Sequence, residues 1–90
     1  MPELGIEETR TAEEIAQSIS AAFDSVGLIN EIIAGTAMVE ATDEDKQATV
    51  ERNVGHLNIM LGKTWFSEGC SSTQLTDLNA AVTAGEEYIA

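Results

Sequence analysis

The side chains with the most chemical reach in this sequence are one histidine, His56, one cysteine, Cys70, and 16 carboxylates. A thiolate nucleophile needs a base set beside it by the fold, and His56 is the only imidazole on offer to Cys70. Glu68, two residues before the cysteine, would lower its thiolate fraction rather than raise it. Cys70 is therefore read as a bystander thiol and His56 as a solvent-facing residue, and no catalytic residue is assigned. A metal centre would need clustered ligands, and neither Glu-x-x-His nor His-x-x-x-His spacing occurs. The run Asp43-Glu44-Asp45-Lys46-Gln47 lacks the glycine and the distal glutamate of a calcium loop. A phosphate loop, a nucleophile elbow and a dinucleotide fingerprint are likewise missing. The expectation is a protein that is not an enzyme and takes neither metal nor cofactor.

The carboxylates matter through their number. Sixteen acids face four bases, Arg10, Lys46, Arg52 and Lys63, for a formal net charge of −12 at pH 7. Affinity for a phosphate backbone comes from Lys and Arg displacing counterions, so direct nucleic-acid binding is excluded, as is attraction to an anionic membrane. Spaced acids can instead imitate a phosphate backbone and occupy the basic groove of a DNA- or RNA-binding protein. Glu44, Asp45 and Glu51 are the candidates for such a surface. Glu13, Glu14, Asp43, Glu44 and Asp45 also have a local explanation, because they fall where helices begin and the helix dipole favours negative charge.

Ninety residues with 43% hydrophobic content make one small folded domain, which buries about two thirds of its unfolded surface. The opening residues carry neither a basic nor an apolar signal region, and no run approaches about 18 apolar residues. With one unpaired cysteine, a reducing cytoplasmic setting is expected, with residues 1–10 as a loosely ordered lead-in.

The only proline is Pro2, and apolar residues recur at helical spacing, which predicts an all-α fold of three helices in a small bundle. The first helix opens at Thr11 with a capping box to Glu14, runs along Ile15, Ile19, Ala22, Val26, Ile29 and Ile33, and stops at Gly35. Residues 36–41 are either linker or helix. The second helix begins at Thr42, reaches about Lys63, and turns Val50, Val54, Leu57 and Leu61 inward. A loop covers Ser67 to Ser71. The third helix starts near Ser71, in capping-box spacing with Gln74, and presents Leu75, Leu78, Val82, Gly85 and Ile89.

At about 100° per residue, Ala48, Gly55, Ile59, Gly62 and Phe66 cluster on a second face of the second helix, a third of a turn from its seam. Glycine costs about 1 kcal/mol relative to alanine inside a helix, so Gly55 and Gly62 are expected to let another backbone come close. Two readings follow. Either this helix is central and buries one face on each neighbour, or the second face docks a partner protein or another copy of the chain. In the docking reading the contact residues are Ala48, Gly55, Ile59, Gly62, Trp65 and Phe66, because exposed tryptophan concentrates interface energy. Trp65-Phe66 otherwise plugs the bundle end beneath the Ser67–Ser71 loop, and Tyr88 fits either arrangement.

The stretches Arg52-Asn53-Val54-Gly55-His56-Leu57-Asn58-Ile59-Met60-Leu61-Gly62-Lys63 and Leu78-Asn79-Ala80-Ala81-Val82-Thr83-Ala84-Gly85 resemble segments of small uncharacterised proteins encoded by tailed phages and prophages. The resemblance covers the C-terminal half and implies a phage accessory or virion-associated protein, with no catalytic residues to carry over. It implies action by binding a host or phage protein. The leading expectation is thus a protein-binding module, with an acidic nucleic-acid mimic and a minor structural virion component as alternatives.

Overall fold

The computed structural model describes residues 10–90. It contains four helices, α1 (Ala12–Ala34), α2 (Asp43–Leu61), α3 (Thr64–Gly69) and α4 (Ser72–Ile89), with no strand among the described residues. The three long helices form the expected all-α bundle. The short α3 is an addition, and of the expected lead-in segment all but Arg10 lies outside the described residues.

Local chemistry sets the helix starts. Thr11 Oγ1 accepts from Glu14 N–H at 3.1 Å while Glu14 Oε1 accepts from Thr11 N–H at 3.0 Å. Ser71 and Gln74 repeat the reciprocal pair at 3.1 and 2.8 Å. Thr42 caps α2 by accepting from Asp45 N–H at 3.1 Å, with Asp43, Glu44 and Asp45 in the first turn. Each such cap is worth about 1 kcal/mol. Helix α1 ends at Gly35, whose left-handed φ of 86° turns the chain back so that Thr36 N–H donates to Glu31 O at 2.9 Å.

Residues 36–41 form turns, not helix. Met38 sits at φ 53°, and its carbonyl accepts from Ala41 N–H at 3.0 Å. Ala37 and Met38 pack against the core at this end. Here the α1 seam departs from expectation, for Ile32 is buried and Ile33 is 40% exposed.

The second correction is at the far end of α2, which stops at Leu61 instead of continuing to Lys63. Gly62 caps it, Lys63 is extended, and the chain re-enters helix at Thr64 within the segment expected to be helix end and loop. Ser67 Oγ donates to Leu61 O at 3.0 Å and ties α3 back to the end of α2. The break turns Phe66 inward, where it is fully buried with Ile29, Leu57, Leu78 and Val50.

Two glycine contacts fix the helix directions. Gly85 of α4 abuts Val54 and Val50 of α2 and Ile29 of α1, whereas Gly69 at the end of α3 abuts Ile15 and Ile19 near the start of α1. Helices α1 and α4 therefore run the same way and α2 runs against them. No polar or charged side chain is buried among the described residues, so hydrophobic burial stabilises this core without internal hydrogen-bonded networks.

Candidate docking surfaces

Helix α2 meets both α1 and α4, but it does so through one seam, Val50, Val54 and Leu57. The expectation of a central helix with a separate face for each neighbour is replaced by a single inward seam. Ala48 and Gly62 are exposed, Gly55 is half-exposed, and Ile59 is 63% exposed, so this stripe faces outward.

The glycines on the stripe do not receive another part of the chain. A β-carbon at Gly55 would meet nothing within 4 Å, and one at Gly62 would meet only carbonyls of its own helix, Ile59 O at 3.5 Å and Asn58 O at 3.6 Å. Close approach occurs elsewhere. A β-carbon at Gly69 would stand 2.5 Å from Ile15 Cγ2, and one at Gly85 would overlap Val54 Cγ2. Spacing along one helix carries no signal for this, because the neighbour comes from a distant part of the sequence.

Phe66 leaves the docking set because it is fully buried and cannot touch a partner. Trp65 is half-buried and partly covered. Its ring meets Phe66 edge to face, with centroids 6.1 Å apart and planes at 78°, and the Arg10 guanidinium lies 4.9 Å from its centroid. Such contacts are worth about 0.5–1 kcal/mol each, and the second joins Arg10, two residues before α1, to α3. Tyr88 is half-buried against the core.

Glu44, Asp45 and Glu51 are exposed. Glu44 and Glu51 lie on the same stripe as Gly55 and Gly62, while Asp45 is turned about 100° away. His56 is exposed on α2. Cys70 is half-buried after α3, and burial pushes its thiol up, the cause being desolvation and not the Glu68 carboxylate. Among the described residues no three His, Cys, Asp or Glu side chains gather as metal ligands. No described helix is long and apolar enough to cross a membrane.

A second surface, with no counterpart in the sequence reading, lies between α1 and α4. It is a groove of about 460 Å³ lined by Phe23, Val26 and Asn30 of α1 and by Asp77, Ala80, Ala81 and Ala84 of α4. The small side chains of α4 keep it open, and Phe23 and Val26 give it an apolar wall. A shallower depression of about 350 Å³ beside α1 is lined by Arg10, Glu14, Gln17, Ser18 and Ala21.

Comparison of the chain with protein-family models, with curated proteins and with solved structures finds no match in any of the three.

Proposed function

We propose that this protein is a non-enzymatic protein-binding module whose α2 stripe of Ala48, Gly55, Ile59 and Gly62 docks a helix of a partner protein. The observation that carries this reading is Ile59, a large aliphatic side chain left 63% exposed beside a helix glycine with open space above it. Burying Ile59 on a partner would contribute about 1–2 kcal/mol, and Gly55 would let the partner backbone sit close. Two copies of a chain with net charge −12 repel, so a different protein is the favoured occupant over a homo-oligomer. Consistent with the resemblance of the C-terminal half, that partner is a phage or host protein met in the host cytoplasm.

The mimicry alternative draws less support from the spacing of its acids. Glu44 and Glu51 stand about 10 Å apart along the helix axis, a distance over which duplex DNA carries about six charges. The virion alternative predicts the chain in purified particles at fixed stoichiometry.

The test is capture of a partner from infected-cell lysate by tagged chain and by Ile59→Glu, at low and high salt, with unfolding curves and the mass of the free protein measured alongside. Capture lost in Ile59→Glu, with an unchanged unfolding curve and little salt dependence, supports the reading. An Ile59→Glu variant that melts several degrees lower would make the stripe part of the core. Capture that survives Ile59→Glu but collapses in salt would favour mimicry.

A further inference from the structure

The groove between α1 and α4 differs from the α2 stripe in the charge of its walls. Helix α1 carries Glu13, Glu14, Asp24 and Glu31, helix α4 carries Asp77, Glu86 and Glu87, and neither contains a lysine or an arginine. Every base of the chain lies elsewhere, at Arg10, Lys46, Arg52 and Lys63. Asp77 lines the groove itself, beside Ala80 and Ala84, while Phe23 and Val26 supply apolar surface opposite. Three mutually packed long helices with a groove between the two parallel ones leave the fourth position of a four-helix bundle open.

We propose that this groove docks a cationic amphipathic helix of a partner protein. The apolar side of such a helix would rest on Phe23, Ala80 and Ala84, above the buried Val26 and Ala81, in the manner of helix-in-groove recognition, with leucine-sized side chains three and four residues apart entering between Ala80 and Ala84. Its lysines or arginines would face Asp77 and the acids along the outer sides of both walls. Charge complementarity excludes most other helices. An acidic helix would meet Asp77 in the groove and the net charge of −12 around it, and α2 of a second copy carries four acids against Lys46 and Arg52.

A labelled 18-residue peptide, the length of α4, with leucine on one helical face and lysine on the other, serves as the probe. Its binding to the full chain is followed by fluorescence anisotropy and by amide chemical-shift mapping. A peptide with glutamate in place of lysine is the control. The expected result is saturable one-to-one binding of the lysine peptide alone, with shifts centred on Phe23, Asn30, Ala81 and Ala84. Ala80→Trp, at an exposed position, fills the groove and weakens binding by about tenfold or more, as does charge reversal in Asp77→Lys. Ile59→Glu on α2 leaves it unchanged, which separates this site from the α2 stripe. Equal binding by wild type and both groove variants would show adsorption by net charge and overturn the proposal. So would shifts centred on α2, or a free chain whose groove is already filled by a second copy.

Discussion

Gly85 of α4 lies so close to Val54 of α2 that a methyl group at Gly85 would overlap a γ-methyl of Val54. The same added carbon would stand 3.2 Å from Val50 Cγ1 and 3.5 Å from Ile29 Cγ2, so all three long helices meet at this glycine. Gly85→Ala should therefore destabilise the fold by about 1–3 kcal/mol through overpacking, despite the gain in helix propensity. In thermal unfolding that is a fall of roughly 4–8 °C per kcal/mol. Pairing it with Val54→Ala should return part of the loss, measured as a double-mutant cycle. Additive losses would mean that the two residues do not share the strain.

Gly55 and Gly35 should respond in opposite directions to the same substitution. Gly55 is helical with open space above it, so Gly55→Ala should stabilise the free protein by about 0.5–1 kcal/mol. Gly35 holds φ at 86°, and Gly35→Ala should cost about 1–2 kcal/mol. Urea midpoints of the two variants give the comparison directly. A destabilising Gly55→Ala would show that a neighbour occupies that space.

Phe66→Ala should be far more damaging than Trp65→Ala. Phe66 is fully buried, and emptying its site costs about 3–5 kcal/mol, a large share of the stability of a domain this size. Trp65 is half-buried, so its truncation should leave the chain folded with a smaller fall in the urea midpoint. Equal midpoints would place the two rings in equivalent environments.

The Cys70 thiol should ionise later in the folded protein than in urea. Burial raises its pKa, so the native state holds the proton to higher pH than the unfolded chain does. This contribution to stability is fully present below the unfolded thiol pKa, about 8.5, and declines as pH rises through the folded value. Alkylation rate against pH, with and without urea, reads the shift. A folded-state midpoint at or below that in urea would reverse it.

The helix starts were legible because capping is a conversation among residues three apart. Thr11 with Glu14 and Ser71 with Gln74 form their reciprocal bonds where the sequence places them. The seams Val50, Val54, Leu57 and Leu78, Val82, Gly85 followed from period alone. What escaped was decided across the chain. The break after Leu61 lets Phe66 reach the core, and nothing local distinguishes that from a helix continuing through Gly62. The α2 glycines suggested a close approach that occurs at Gly69 and Gly85, where Ile15 and Val54 arrive from distant segments. The groove between α1 and α4 needed both helices placed side by side before its apolar lining and its one acid, Asp77, could be seen.

The seat of Gly69 on Ile15 also sets an order of events during synthesis. The contact of Gly69 with Ile15 and Ile19 cannot form until the chain has been made through α3, more than fifty residues after Ile15. A chain released before Trp65 would hold α1 and α2 without the Phe66 plug and with Ile15 and Ile19 lacking this cover. Closing so long a loop costs entropy before the contact returns anything, so the contacts that α3 and α4 make on α1 should consolidate after the α1–α2 pair. Premature termination in that window would release a chain with an incomplete core, prone to associate through the surfaces that α3 covers in the finished protein.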